Sequence, residues 1–61
     1  MPIVEIKMWE GRTDEQKEKL IEGISKVFSD ELNVNLSHLH IIITDVSKKN
    51  WGLEGKRADK L

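Results

Sequence analysis

Leu39-His40-Ile41-Ile42-Ile43-Thr44-Asp45-Val46 is the stretch that decides the fold. It is a nearly continuous β-branched run, and such a run is expected of a strand covered on both faces. A helix of the same chain accounts for one covering, and another subunit can provide the second. Upstream, Asn33-Val34-Asn35 breaks a helical pattern in which Leu20, Ile21, Ile24, Val27, Phe28 and Leu32 fall on one stripe, read as core. The helix starts at Thr13-Asp14-Glu15-Gln16, which has the T-x-x-Q form of a capping box, with two acids at the positive end of the helix dipole. On the opposite face Glu15 precedes Lys19 and Glu22 precedes Lys26 by four residues, the pairing of a solvated face rather than a binding site. Further upstream Ile3 to Met8 alternates, with Val4, Ile6 and Met8 on one side and Ile3, Glu5 and Lys7 on the other, the period of a strand.

Strand, long helix and strand in that order predict an α/β fold, a right-handed βαβ unit with two parallel strands. Downstream, Ser47-Lys48-Lys49-Asn50 leads into Trp51-Gly52-Leu53-Glu54-Gly55, a short C-terminal hairpin arm with glycines where positive φ is needed. Its large apolar residues have little intrachain core left to join, so reaching over a neighbouring subunit would bury them. Lys56 to Leu61 reads as a polar tail.

Sixty-one residues make a single domain over 1–61, and a domain of this size buries only about 60% of its unfolded surface. With no cysteine there is no disulfide framework, thiolate metal site or Cys nucleophile, so oligomerisation is the remaining staple. Two strands are also too few for a stable sheet. Ten basic against eleven acidic residues, interspersed, give a net charge of −1 and no footprint for nucleic acid or an anionic membrane. No apolar run has the length of a membrane span, and no signal-peptide layout is present, so the cytoplasm is the expected location.

The chemistry points to Pro2. Removal of Met1 would make it a free secondary amine, a titratable base built into the backbone at the start of a strand. An α-amino group titrates at roughly 7.7–8.0 in water, and an apolar pocket beside a fixed cation lowers that value toward a useful general base. The alternative is a strand-leading proline tolerated because its missing N–H costs nothing there.

Met1-Pro2, then Glu10-Gly11-Arg12-Thr13-Asp14-Glu15-Gln16-Lys17 after one strand, then Ile41-Ile42-Ile43-Thr44, then an aromatic-Gly-aliphatic-x-Gly arm together resemble the 4-oxalocrotonate tautomerase family over nearly the whole chain. That resemblance implies a βαβ protomer whose sheet is completed by dimerisation, commonly as a hexamer of three dimers. It also implies a cofactor-free keto–enol tautomerase acting on an enol or unsaturated 2-keto acid, a small-molecule substrate. Pro2 corresponds to the family's catalytic proline, and Arg12 to an arginine that binds a substrate carboxylate and draws electron density during enolisation. A guanidinium suits both tasks, gripping a carboxylate in a bidentate fork and stabilising developing oxyanion charge. Otherwise Arg12 is a surface arginine at a helix N-terminus, where its charge is mildly unfavourable. Trp51 matches an aromatic wall residue, and Trp9 and Leu53 match apolar pocket positions; both tryptophans also suit subunit packing.

The chain departs from the family at two places. His40 stands where the founding enzymes carry a second arginine, contributed by a neighbouring subunit. A neutral imidazole donates one hydrogen bond and polarises substrate less than a guanidinium, so lower activity on a dicarboxylate, or another substrate, is the expectation. Glu54 replaces a common glycine of the arm, and would be strained there if the position requires positive φ; its register is offset from that of water-activating glutamates in hydratase and dehalogenase members. His38 and His40, alternating along a strand, lack a third ligand and form a weak zinc signal, so no metal is expected. Two alternatives stay open: a non-catalytic oligomeric scaffold of the same fold, and a hydratase or dehalogenase using the same proline.

Overall fold

The computed structural model describes residues 1–61. Strand β1 (Ile3–Trp9) is followed by helix α1 (Asp14–Leu32) and strand β2 (His40–Val46). The strands pair in parallel, from Ile3 opposite His40 to Trp9 opposite Val46. This is the expected βαβ unit, and β1 runs one residue beyond Met8. The predicted cap is present in full: the Thr13 side chain accepts from the Gln16 N–H at 3.1 Å, and Gln16 Oε1 accepts from the Thr13 N–H at 2.9 Å. At the far end Asn33 adopts the left-handed conformation (φ 54°) and donates its N–H to the Phe28 and Ser29 carbonyls, stopping α1 where the sequence periodicity breaks.

Alternation divides the sheet. Val4, Ile6, Met8, Ile41 and Ile43 are half-buried on the face that α1 covers, while Ile3, Glu5, Lys7, His40, Ile42 and Thr44 lie exposed on the other. Lys17 of α1 bonds the Asp45 carboxylate of β2, tying helix to sheet. The helix stripe is wider than its covering. Leu20, Ile24 and Phe28 are half-buried, but Val27 and Leu32 remain 58% and 63% exposed, so the stripe read as core is core only in part within one chain. On the outer face Lys19 pairs with Glu15 at 3.5 Å as expected, whereas Lys26 reaches forward to Asp30 at 2.6 Å rather than back to Glu22.

The C-terminal segment differs from the expected tail. Strands β3 (Gly52–Leu53) and β4 (Lys56–Arg57) form an antiparallel hairpin closed by Glu54 and Gly55, both at positive φ (53° and 76°), whereas Gly52, expected to need positive φ as well, lies in β3 without it. Two consecutive positive φ values are the signature of a type I′ turn, whose twist matches that of the strands. Ala58 then donates its N–H to the Trp51 carbonyl at 2.8 Å and is the one buried residue of the chain. Lys56 to Lys60 is therefore ordered structure, folded back on the arm. His38 ends a 3₁₀ turn (Leu36–His38) ahead of β2, so it does not alternate with His40 on a strand.

The accessible surface of 4982 Å² exceeds the roughly 4,100 Å² of a compact monomer of this mass. The radius of gyration, 14.5 Å, likewise exceeds roughly 10.5 Å. A projecting arm and the exposed Ile3, Ile42, Val27 and Leu32 leave this chain short of a self-sufficient core. No helix is long and apolar enough to cross a membrane.

Candidate active site

In a parallel sheet the residues just past each strand's carboxyl end gather at one edge, the usual place for a binding crevice. Here β1 and β2 end level, with Trp9 opposite Val46 and the Glu10 N–H bonded to the Val46 carbonyl at 3.0 Å. The segments that leave the two strands are therefore brought together. Lys7, Met8, Trp9, Glu10 and Arg12 from the first crossing and Lys48 and Trp51 from the second line a cleft of about 480 Å³.

Local chemistry holds its walls. Gly11 takes φ 121°, which turns the chain between β1 and the capping box, so Arg12 leads directly into the capped Thr13. On the other side Ser47 caps a 3₁₀ turn (Lys48–Asn50), its side chain accepting from the Lys49 N–H at 3.2 Å. The Trp51 N–H closes that turn onto the Lys48 carbonyl at 3.3 Å. The two indoles meet edge to face, centroids 5.9 Å apart at 75°, a favoured aromatic geometry. Lys48 Nζ stands 4.6 Å from the Trp9 ring centroid, within cation–π range.

Arg12 takes part in none of the four ion pairs of the molecule, and neither do Lys7 and Lys48. The guanidinium also borders a second hollow of about 230 Å³ formed with Met8, Gln16, Lys17 and Leu20. There the Asp45 carboxylate raises the pKa of Lys17 above the ordinary lysine value, chiefly through their hydrogen bond. An aromatic cleft with unpaired cations is a fit for a small organic acid. No group of three or more His, Cys, Asp or Glu is placed to hold a metal ion.

The remaining candidates lie elsewhere in the same chain. Pro2 precedes β1 at its opposite end, its carbonyl accepting the His40 N–H at 3.1 Å. Seven residues of β1 at about 3.3 Å each put roughly 23 Å between that end and the cleft. His40 starts β2 beside Ile3, and Leu53 sits on the hairpin, 45% exposed, outside the lining. One chain thus assembles Trp9, Arg12 and Trp51 but not Pro2, His40 or Leu53. Sequence reasoning missed Lys7, Glu10 and Lys48. For Lys7 a signal existed, since period-2 alternation puts it on the same side of β1 as Trp9.

Residues 2–60 match the family model described as "Tautomerase enzyme". A 2-hydroxymuconate tautomerase of Pseudomonas putida is 43% identical over all 61 residues, covering 97% of that protein. Among solved structures, DmpI from Helicobacter pylori superposes with a TM-score of 0.90 at 38% identity, over 98% of this chain and all of that one. A 4-oxalocrotonate tautomerase from Chloroflexus aurantiacus J-10-fl, described as a heterohexamer, gives a TM-score of 0.90 at 31% identity over 100% and 98% of the two chains. Carrying the βαβ fold with its hairpin arm and matching these relatives end to end, the chain belongs to the tautomerase family and is an isomerase of the 4-oxalocrotonate tautomerase type.

Proposed function

We propose that the chain, with Met1 removed, uses the amino-terminal nitrogen of Pro2 as the general base of a cofactor-free keto–enol tautomerisation of an enol or unsaturated 2-keto acid. Pro2 takes a proton from the substrate and returns it at another carbon of the conjugated system. Arg12 grips the 2-keto acid's carboxylate and stabilises the oxyanion that develops beside it. Trp9 and Trp51 exclude water, and low polarity around the amine keeps it unprotonated near neutral pH. The reading is supported by one observation: Pro2 leads into β1 and its carbonyl accepts from the His40 N–H, so that removal of Met1 would leave an amine held in a fixed place at the start of the strand.

Because Pro2 and the Arg12 cleft lie at opposite ends of β1, the site requires more than one copy: Pro2 of one chain against the cleft of another. Homo-oligomerisation, as a trimer of dimers, supplies that meeting and covers Ile3, Ile42 and Val27, which one chain leaves about half exposed or more. His40 and Leu53 are contacts that such a neighbour contributes. The experiment is ketonisation of 2-hydroxymuconate followed in the ultraviolet with the intact mass measured alongside. Pro2→Ala is expected to lose about 10²–10⁴-fold in rate, the usual worth of a general base. Equal rates, or full activity in protein that retains Met1, would remove Pro2 from the mechanism.

A further inference from the structure

The cleft carries more positive charge than binding one carboxylate uses. Lys7, Arg12 and Lys48 line it against one acid, Glu10, and none of the three cations is neutralised by an ion pair. Lys48 rests on an aromatic face instead, 4.6 Å from the centre of Trp9. A cation–π contact at an accessible site is weaker than a charge-assisted hydrogen bond to a carboxylate. The ammonium is therefore held ready by the indole and released to an entering anion.

Its placement is also across from Arg12 in chain order. Arg12 comes with the turn into α1, whereas Lys48 opens the 3₁₀ turn that closes on Trp51. Two cations from separately capped elements share a cleft walled by two indoles, which suits a flat conjugated acid charged at both ends. A lysine on a flexible stem can follow a terminal carboxylate, while the planar fork of Arg12 fixes the other. His40 lies at the far end of the strands from this cleft.

We propose that Lys48 is the specificity-determining cation of the site, binding the second carboxylate of a dianionic enol acid. The proposal rests on the tautomerase reading above, with Arg12 on the first carboxylate. Lys48, rather than a second arginine, then sets the preference for two-ended substrates.

The test compares wild type, Lys48→Met, Lys48→Gln and Lys48→Arg on 2-hydroxymuconate and on 2-hydroxyhexa-2,4-dienoate, which replaces the distal carboxylate by methyl. Lys48→Met and Lys48→Gln are expected to raise KM for the dianion about tenfold more than for the mono-acid, and to be rescued by Lys48→Arg. Binding of muconate, which lacks the enol and does not react, is followed in parallel by tryptophan emission in wild type, Pro2→Ala and the Lys48 variants. A response that weakens about tenfold in Lys48→Gln but persists in Pro2→Ala supports the site even if the proline chemistry fails. Equal losses on both substrates, or muconate binding unchanged in both neutral variants, would overturn the assignment of Lys48.

Discussion

The two ends of the β1–β2 pair are made from the same two strands yet are equipped in opposite ways. At the leading end stand Pro2 and His40, a candidate base joined to β2 by a backbone hydrogen bond, with exposed Ile3 beside them. At the trailing end stand Trp9, Arg12, Lys48 and Trp51, which offer walls and positive charge but not the amino-terminal proline. Each end has what the other lacks. A chain that leaves 4982 Å² exposed and buries one residue needs partners for stability, and the same association would join the two half-sites. Under the proposed mechanism, folding and catalysis would thus make one demand on association.

The sharpest way to break this comparison is to disable each end in a different chain. Pro2→Ala and Arg12→Ala alone are each expected to lose about two or more orders of magnitude in kcat/KM. Refolded together in equal amounts, they should recover about a quarter of wild-type activity. In a random mixture half the sites take Pro2 from a competent chain, and half of those also take Arg12 from one. Mixed oligomers identified by native mass measurement with no recovery would show that both residues act from one chain.

His40→Arg tests whether the leading end limits the chemistry. An added guanidinium at a shared site supplies a permanent charge and a bidentate grip that imidazole lacks. Turnover of a dicarboxylate dienol is expected to rise by about tenfold in kcat/KM, the scale of one added charge-assisted contact. No gain would mean that His40 stays outside the assembled site, leaving discrimination to the trailing end.

How much of this division was legible in the sequence depends on how local each determinant is. The capping box Thr13 to Gln16, the stop at Asn33 and both main strands follow from neighbouring residues alone, and all appear within one residue of where read. The hairpin's return strand, Lys56–Arg57, was not legible, because two charged residues have no measurable periodicity. Nor could the stripe on α1 reveal that Val27 and Leu32 lie outside the intrachain contact, since apolar spacing gives a face but not its width of cover. Lys26 had acids four residues away on both sides, and only the folded side chain selects Asp30. At the site, Arg12 and the tryptophans were visible as residue types in a familiar order. Lys48 was not, because its place in the cleft depends on the level ends of two strands that are far apart in sequence.

Glu54 probes the arm that frames the trailing end. It sits at φ 53°, where a side chain with a Cβ is disfavoured by about 1 kcal/mol relative to glycine. Glu54→Gly is therefore expected to raise thermal stability by about that amount while leaving tautomerisation intact, because Glu54 does not line the cleft. Loss of activity with the fold retained would instead assign its carboxylate a part in the reaction.

The smallest expected effect lies behind the cleft, at the tie between Lys17 and Asp45. Their hydrogen bond raises the lysine pKa above its ordinary value of 10.5, so the folded state binds this proton more tightly than the unfolded chain does. The resulting stabilisation is fully present below the unfolded value and fades as pH climbs through the raised folded one. Thermal melts of wild type from about pH 9 to 12 should carry this alkaline component. Asp45→Asn should lose the part that depends on the pair, lowering the melting temperature at pH 9 while flattening its fall above 10.5. Since Lys17 and Arg12 share a hollow, the same variant asks whether the tie also orients Arg12. A rise in KM for both mono- and dicarboxylic substrates at pH 7, with Pro2 untouched, would make Lys17 and Asp45 positioning residues for the trailing end. An unchanged KM would confine the pair to stability.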